Sequence, residues 1–337
     1  MSDSDRLPQK AAQLVIEEGL VSAEEIIRYG LRVRNLSQSN SVALVEVGNG
    51  KGFAVKDMRS RRDAQQGTAE CERQLYHSAA VCVALQPLLP KYFALGEDSE
   101  LMILEGLVSY RRLDQMSDGR RLFDPEMGRS LGEALRLWHS NSTSLKGIGD
   151  AQPWLLAIRG SDRLGVLDSE DALREITASI NEDSLLYTSI DRVQGSWSTD
   201  VVIHGDMRFA NILVSSSPFG LRFIDWETSG WGDGRWDVAG IVQEFLSVGL
   251  SEGYGLADSS RARSISLLLD GYRGDGIQET TWEEFAPFVA CRVMMRAIQL
   301  ANWPSTSDAV VAEHLDLARE LGAVSEDPFA SYATATD

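Results

Sequence analysis

The run VVIHGDMRFANILV places Asp206 and Asn211 five residues apart between two apolar stretches, and LRFIDWE places Asp225 after a further apolar strand. Asp, Asn and Asp in this order suit phosphoryl transfer. One carboxylate can orient and deprotonate an acceptor hydroxyl, while an amide oxygen and a second carboxylate hold Mg2+ against phosphates. Hard oxygen ligands suit that ion, which keeps several waters of its own. Any one of these residues alone is an ordinary turn or cap residue. The information lies in the joint pattern of strand, HGDxxxxN, second strand and further Asp.

The elements that must position these residues are readable in outline. Lys10–Tyr29 suggests one or two short helices around Gly19. SVALVEV and GFAVKDM alternate on either side of Asn49-Gly50, which predicts a hairpin. A helix is expected over 65–80 and a short apolar strand over Leu101–Leu107. Helical patterns dominate afterwards. Leu131, Leu135 and Trp138 share one face behind Pro125, and further helices are expected at 169–181, 236–248, 260–272, 282–303 and 307–321. The first ten and last dozen residues are polar or small and are expected to fray. The fold class is therefore α+β in two lobes, a small β-rich N-lobe before a larger, mainly helical C-lobe. The expected boundaries are a helical extension at 1–30, lobes at 31–108 and 109–325, and a flexible tail at 326–337.

HGDMRFANIL followed by FIDWETSGWGDGRWDVAG resembles the aminoglycoside phosphotransferase and choline kinase family, built on the protein-kinase-like fold. The resemblance runs from about residue 30 to 320. It implies ATP and Mg2+ as cofactors, Asp206 as catalytic base, and Asn211 and Asp225 as metal ligands. Such a fold also needs a strand Lys at the phosphates and a helical Glu paired to it. FAVK supplies Lys56 in the place of the VAIK pattern. TAECERQLYH supplies Glu72, with Glu70 as the weaker choice, because Leu75 and Tyr76 follow Glu72 at the expected inward positions. The loop Asn35–Val42 lacks GxGxxG, and Ser39 and Asn40 are the candidate phosphate contacts at its tip. The backbone of Glu105 and Leu107 is expected to meet the adenine edge.

Arg208, two residues after Asp206, either stabilises charge developing on the transferred phosphate or is a solvated Arg. Glu227 either approaches a second Mg2+ or is structural. His204 is expected to anchor the loop. Asp237 is expected to cap the next helix and brace the catalytic loop, and His139 to cap the end of its own helix. Trp226, Trp231 and Trp236 are expected in the core. No APE motif follows Asp225, so no phosphorylation switch is expected. Lys56→Ala is expected to weaken catalysis with little change in thermal unfolding.

Composition bounds the rest. The 337 residues suggest roughly two domains or lobes at about 150 each. Fifty acids against 32 Lys plus Arg leave a net charge of −18, which disfavours nucleic acid and anionic membrane surfaces as partners. No signal-peptide core, bilayer-length apolar run, CxxC or metal-spaced His set is present, so a cytoplasmic protein with reduced thiols is expected. The charge is uneven. Residues 1–110 hold 15 acids and 12 bases, against 35 and 20 in residues 111–337. A neutral or cationic hydroxyl-bearing acceptor follows.

PWLLAIRGSDRL, EEGLVSAEEIIRYG and GDGRWDVAG are similar to bacterial phosphotransferases of lanthionine-type peptide pathways. That resemblance implies Ser or Thr of a peptide as acceptor in natural-product biosynthesis, with other enzymes of the pathway as possible partners. The alternatives are an aminoglycoside or other small-molecule phosphotransferase of the resistance type, and a nucleotide-binding pseudokinase scaffold. Retention of Lys56, Glu72, Asp206, Asn211 and Asp225 argues against the scaffold.

Overall fold

The computed structural model describes residues 3–36, 41–58, 68–95, 101–116, 124–157, 171–217, 219–251, 259–274, 281–303 and 305–332. They fall into two compact units. The first comprises Met1–Gln115, Ser144–Ile148 and Ala210–Ser229, and the second Met116–Thr143, Gly149–Phe209 and Gly230–Asp337.

The first unit opens with α1 (Asp3–Glu17), whose Leu7, Ala11, Leu14 and Val15 recur at helical spacing. It ends at Gly19, which takes φ +67° while the Leu20 N–H donates to the Val15 carbonyl at 3.1 Å. A Ser22–Glu25 capping box starts α2 (Ala23–Tyr29). Strands β1 (Leu31–Asn35), β2 (Val42–Val47) and β3 (Gly52–Asp57) follow, then helix α3 (Thr68–Ala79) and strands β4 (Tyr92–Leu95) and β5 (Leu101–Glu105).

These strands form one antiparallel sheet in the order β1-β2-β3-β5-β4. The expected hairpin is β2–β3, with Val42 opposite Lys56 and Gly50 at φ +90° in the turn. Leu7, Ala11 and Val15 of α1 pack in one core with Ala43, Val45, Phe53, Val55 and Ile103. The first ten residues therefore do not all fray: the chain is helical from Asp3, and Leu7 is buried because the sheet has an apolar face to cover. A second, three-stranded sheet in this unit joins β6 (Arg111–Arg112), β8 (Ile212–Ser216) and β9 (Phe219–Phe223) in the order β6-β8-β9.

The second unit contains α4 (Pro125–Ser142), α5 (Asp171–Glu182), α6 (Ser184–Ser196), α7 (Gly234–Ser251), α8 (Ser259–Arg273), α9 (Trp282–Ala301) and α10 (Asp308–Ala323). Its short strands β7 (Val201–Ile203) and β10 (Gly230–Gly232) pair antiparallel. Leu131, Leu135 and Trp138 of α4 are buried, and the Trp138 indole N–H donates to the Val202 carbonyl at 2.7 Å, tying α4 to β7. Helix α9 is apolar on most sides and lies in the core. Trp236 is wholly buried in this unit and Trp226 in the first, whereas Trp231 is half-buried. Phe329, within the expected tail, is buried and packs edge-on against Trp282 at 5.5 Å. No helix among the described residues is long and apolar enough to cross a membrane.

Candidate active site

In the first unit, the site grows from the end of β3. A strand running from one edge of a core to the other carries Lys56 into a buried position, where an ammonium needs compensating charge. Glu72, one turn into α3 and almost fully buried, puts Oε2 2.5 Å from Lys56 Nζ. Asp225 Oδ1 lies 2.6 Å from the same nitrogen, and Glu227 Oε2 lies 3.9 Å away. Burial alone would push the Lys56 pKa down. The neighbouring Glu72 and Asp225 charges outweigh it, and the pKa ends above its ordinary value. The fully buried Tyr76 hydroxyl is pushed well upward, first by burial and then by Glu72 and Asp225, and stays neutral.

Asp225 is the one non-glycine residue at positive φ among the described residues, at +67°. This left-handed conformation costs roughly 1 kcal/mol for most side chains and less for Asp. The next residue holds it there. Trp226 is wholly buried, and its indole N–H donates to the Phe223 carbonyl at 3.1 Å, closing the turn that follows β9. Asn211 is buried where β8 begins, and its carbonyl accepts from the Ile224 N–H at 3.0 Å, one residue before Asp225. Glu72, Asp225 and Glu227 bring carboxylate oxygens within 4.8 Å of one another. That all-oxygen set suits a hard divalent cation.

Glu105 and Leu107 stand at the end of β5. The Glu105 N–H donates to the Lys91 carbonyl at 2.8 Å, and the Leu107 carbonyl accepts from the Tyr110 N–H at 3.0 Å. Ser39 and Asn40 lie outside the described residues.

In the second unit, Asp206 and Arg208 follow β7. They form a half-buried ion pair, Arg208 Nε to Asp206 Oδ2 at 3.1 Å. His204 is wholly buried and its Nδ1 accepts from the Asp206 N–H at 3.3 Å, as expected of a loop anchor. Asp237 is fully buried and braces the loop by accepting from the N–H groups of His204 at 2.7 Å and Gly205 at 3.0 Å. It does not cap its own helix. Asp233, just before α7, accepts from the Arg235 N–H at 3.0 Å.

Nor does His139 cap α4. It sits a turn inside that helix, with Nε2 3.2 Å from Asp237 and Nδ1 2.9 Å from the Tyr272 hydroxyl. Burial would raise the Asp237 pKa, but its bond to His139 and the charges of His139 and His204 hold it below the usual carboxylate range. Arg292 and Glu244, to which no role was assigned from sequence, also contact this loop. The available signal was an Arg inside the otherwise apolar run FVACRVMM.

The two units thus carry the two halves of the expected constellation: Lys56, Glu72, Asn211, Asp225 and Glu227 in the first, Asp206 and Arg208 in the second. An N-terminal antiparallel sheet and a larger helical part define a protein-kinase-like α+β chain.

Known structures share that fold. A choline/ethanolamine kinase family protein from Mesorhizobium loti superposes with TM-score 0.57 at 15% identity, covering 97% of each chain. The microcompartment-associated aminopropanol kinase gives 0.56 at 19% identity over 97% of this chain and 99% of that one. An aminoglycoside-3'-phosphotransferase of type VIII gives 0.52 at 16% over 86% and 98%. No curated protein matches the sequence. The model of the phosphotransferase enzyme family matches residues 31–288, and the chain belongs to that family. It is an ATP-dependent phosphotransferase acting on a hydroxyl group.

Proposed function

We propose that this enzyme moves the γ-phosphoryl group of ATP to a hydroxyl of a small cationic or neutral acceptor, with the residues named above in distinct roles. Asp206 orients the acceptor hydroxyl. It takes the proton as that oxygen bonds to the γ-phosphorus and the bond to the ADP oxygen breaks. Arg208 faces the charge that develops on the transferred group. Lys56, held by Glu72, contacts the α and β phosphates. The backbone of Glu105 and Leu107 meets the adenine edge, and Ser39 and Asn40 serve the loop over the phosphates. Asn211 and Asp225 hold Mg2+, with Glu227 beside them, and the ion supplies neutralisation of phosphate charge when bound. In this reading, residues 31–108 are the nucleotide lobe and 109–325 the catalytic and acceptor lobe of a cytoplasmic enzyme.

The observation that carries the reading is the Lys56–Glu72–Asp225 cluster. Residues up to 169 apart in the chain meet at 2.5 and 2.6 Å. The acceptor class is supported by the excess of 35 acids over 20 bases in residues 111–337. Structural neighbours named for choline or ethanolamine, aminopropanol and aminoglycosides point the same way. A second reading, Ser or Thr of a precursor peptide in lanthionine-type biosynthesis, rests on PWLLAIRGSDRL and GDGRWDVAG.

Labelled ATP and Mg2+ with three acceptor panels separate the readings: amino alcohols, aminoglycosides and Ser/Thr-containing precursor peptides. A mass gain of one phosphate on an amino alcohol or aminoglycoside supports the small-acceptor reading. A gain confined to peptides replaces it with the second.

A further inference from the structure

The loop carrying Asp206 is held by side chains at nearly every turn of its backbone. Asp237 takes the N–H groups of His204 and Gly205. Glu244 accepts from the Phe209 N–H at 3.1 Å. The Gly205 carbonyl accepts from the Trp236 indole N–H at 3.0 Å and from Arg292 Nη1 at 3.3 Å. The Met207 carbonyl accepts from Arg292 Nη2 at 2.9 Å. One guanidinium therefore binds the carbonyls on both sides of Asp206.

Arg292 comes from the apolar helix α9 and is 4% exposed. Two carbonyls could be satisfied by neutral donors, and burying a cation is costly unless it is matched by charge. Partial compensation is present. Burial, with a smaller push from Arg208, holds the Arg292 pKa below its ordinary value, while Asp206, Asp237 and Glu244 favour its charged form. The guanidinium also lies over the Trp236 ring, 5.2 Å from its centroid. Room for it comes from Gly240 of α7, where a Cβ would strike the Met207 carbonyl and come within 2.9 Å of Arg292 Nη2.

We propose that Arg292 is a positioning residue: its planar fork fixes the two peptides flanking Asp206, and its charge offsets the carboxylates gathered around that loop. The fork has fixed spacing between its nitrogens, so it restrains both carbonyls together in a way that a Lys ammonium does not. This inference rests on the reading of Asp206 as the base.

The test compares Arg292→Met, Arg292→Lys, Gly240→Ala and Asp206→Ala with the wild type. Turnover of Mg·ATP is followed with the best acceptor from the panels, or with water if none is used. Amide hydrogen exchange is followed in parallel over 204–209 and over α4. In the wild type, the loop N–H groups held by Asp237 and Glu244 are expected to exchange as slowly as those of α4. Arg292→Met is expected to lower kcat about 10²-fold, as misplacement of a reacting group does, with KM for ATP within twofold. Loop exchange should rise at least tenfold with α4 unchanged. Arg292→Lys should recover only part of kcat.

Gly240→Ala should reproduce the loop effect, and it carries the test if Arg292→Met does not fold. Fast loop exchange in the wild type overturns the clamp. So does a folded Arg292→Met with unchanged kcat and loop exchange, or a rise in exchange shared equally by α4. If Asp206→Ala keeps full transfer, the reading of the base fails, and loop exchange still decides the clamp. If Asp206→Ala is inactive and Arg292→Met is fully active, only the clamp fails.

Discussion

Lys56 holds apart carboxylates that would otherwise face one another in a buried place. Removing it leaves Glu72 and Asp225 uncompensated, and stripping one partner from a buried pair costs about 3–5 kcal/mol. At roughly 2–4 °C per kcal/mol in a chain of this order of size, Lys56→Ala should lower the melting temperature by on the order of 10 °C. This revises the expectation of little thermal change, because the ion pair is buried and not at a strand's exposed end. Mg2+ should restore part of the loss by taking the vacated place among the carboxylates. Scanning calorimetry with and without Mg2+ checks this, and an unchanged melting temperature in metal-free buffer would remove Lys56 from that role.

Asp237 offers a pH test at the same scale. Its pKa lies below its ordinary value near 3.8, so its stabilising effect is complete above that pH and fades as pH falls through the lower, folded-state value. Asp237→Asn should cost about 1.5–3 kcal/mol at neutral pH, the range for hydrogen bonds to a charged group. The gap in melting temperature should narrow below about pH 4. A gap that stays constant from pH 7 to pH 3 would show that the carboxylate charge is not what braces the loop.

At the scale of elements, α4 and α8 are brought together by missing side chains. A Cβ on Gly132 of α4 would strike the Leu268 carbonyl of α8 and come within 2.7 Å of the Tyr272 nitrogen, and Gly271 meets the Arg129 carbonyl from the other side. Alanine is the better helix former by about 1 kcal/mol, so propensity alone predicts that Gly132→Ala stabilises. Overpacking typically costs about 1–3 kcal/mol, and here the obstacle is backbone, which yields little. Gly132→Ala should therefore lower stability, as read by urea denaturation, and a higher midpoint would contradict this packing.

The same elements show what a sequence can reveal. Asn49-Gly50 between two alternating runs marks β2–β3, and the Leu131–Trp138 face marks α4, because their patterns are local. Helix α1 was hidden in part. Its first turns are polar around Pro8, and Leu7 is their only apolar anchor. The cap roles given to Asp237 and His139 failed for another reason. Their bond joins residues 98 apart, and nothing in either local sequence announces a partner at that distance.

For the whole molecule, chain order and spatial grouping part company. Residues 210–229 group with the N-terminal sheet unit although most of the chain between 116 and 209 belongs to the other one. The cause is long-range pairing of β8 with the two-residue β6, too short to leave a pattern of its own. Asp206 and Asn211, five apart in sequence, consequently belong to different units.

Charge is legible at this scale without any structure. The surplus of acids after residue 110 should attract a cationic acceptor, and salt screens such attraction over about 10 Å at 0.1 M. The KM for a cationic acceptor should rise several-fold between 50 and 500 mM salt while kcat holds. Tight, salt-independent binding of a polyanionic acceptor would contradict it.

Proton transfer from the acceptor hydroxyl to Asp206, as proposed, can be measured directly. Asp206→Asn keeps the shape of the side chain and removes its basicity, so its rate of phosphate transfer from Mg·ATP should fall about 10²–10⁴-fold. Its affinity for Mg·ATP, measured by calorimetry, should stay within about twofold, because Lys56, Asn211 and Asp225 are untouched. Transfer at the wild-type rate by folded, Mg·ATP-bound Asp206→Asn would contradict the account.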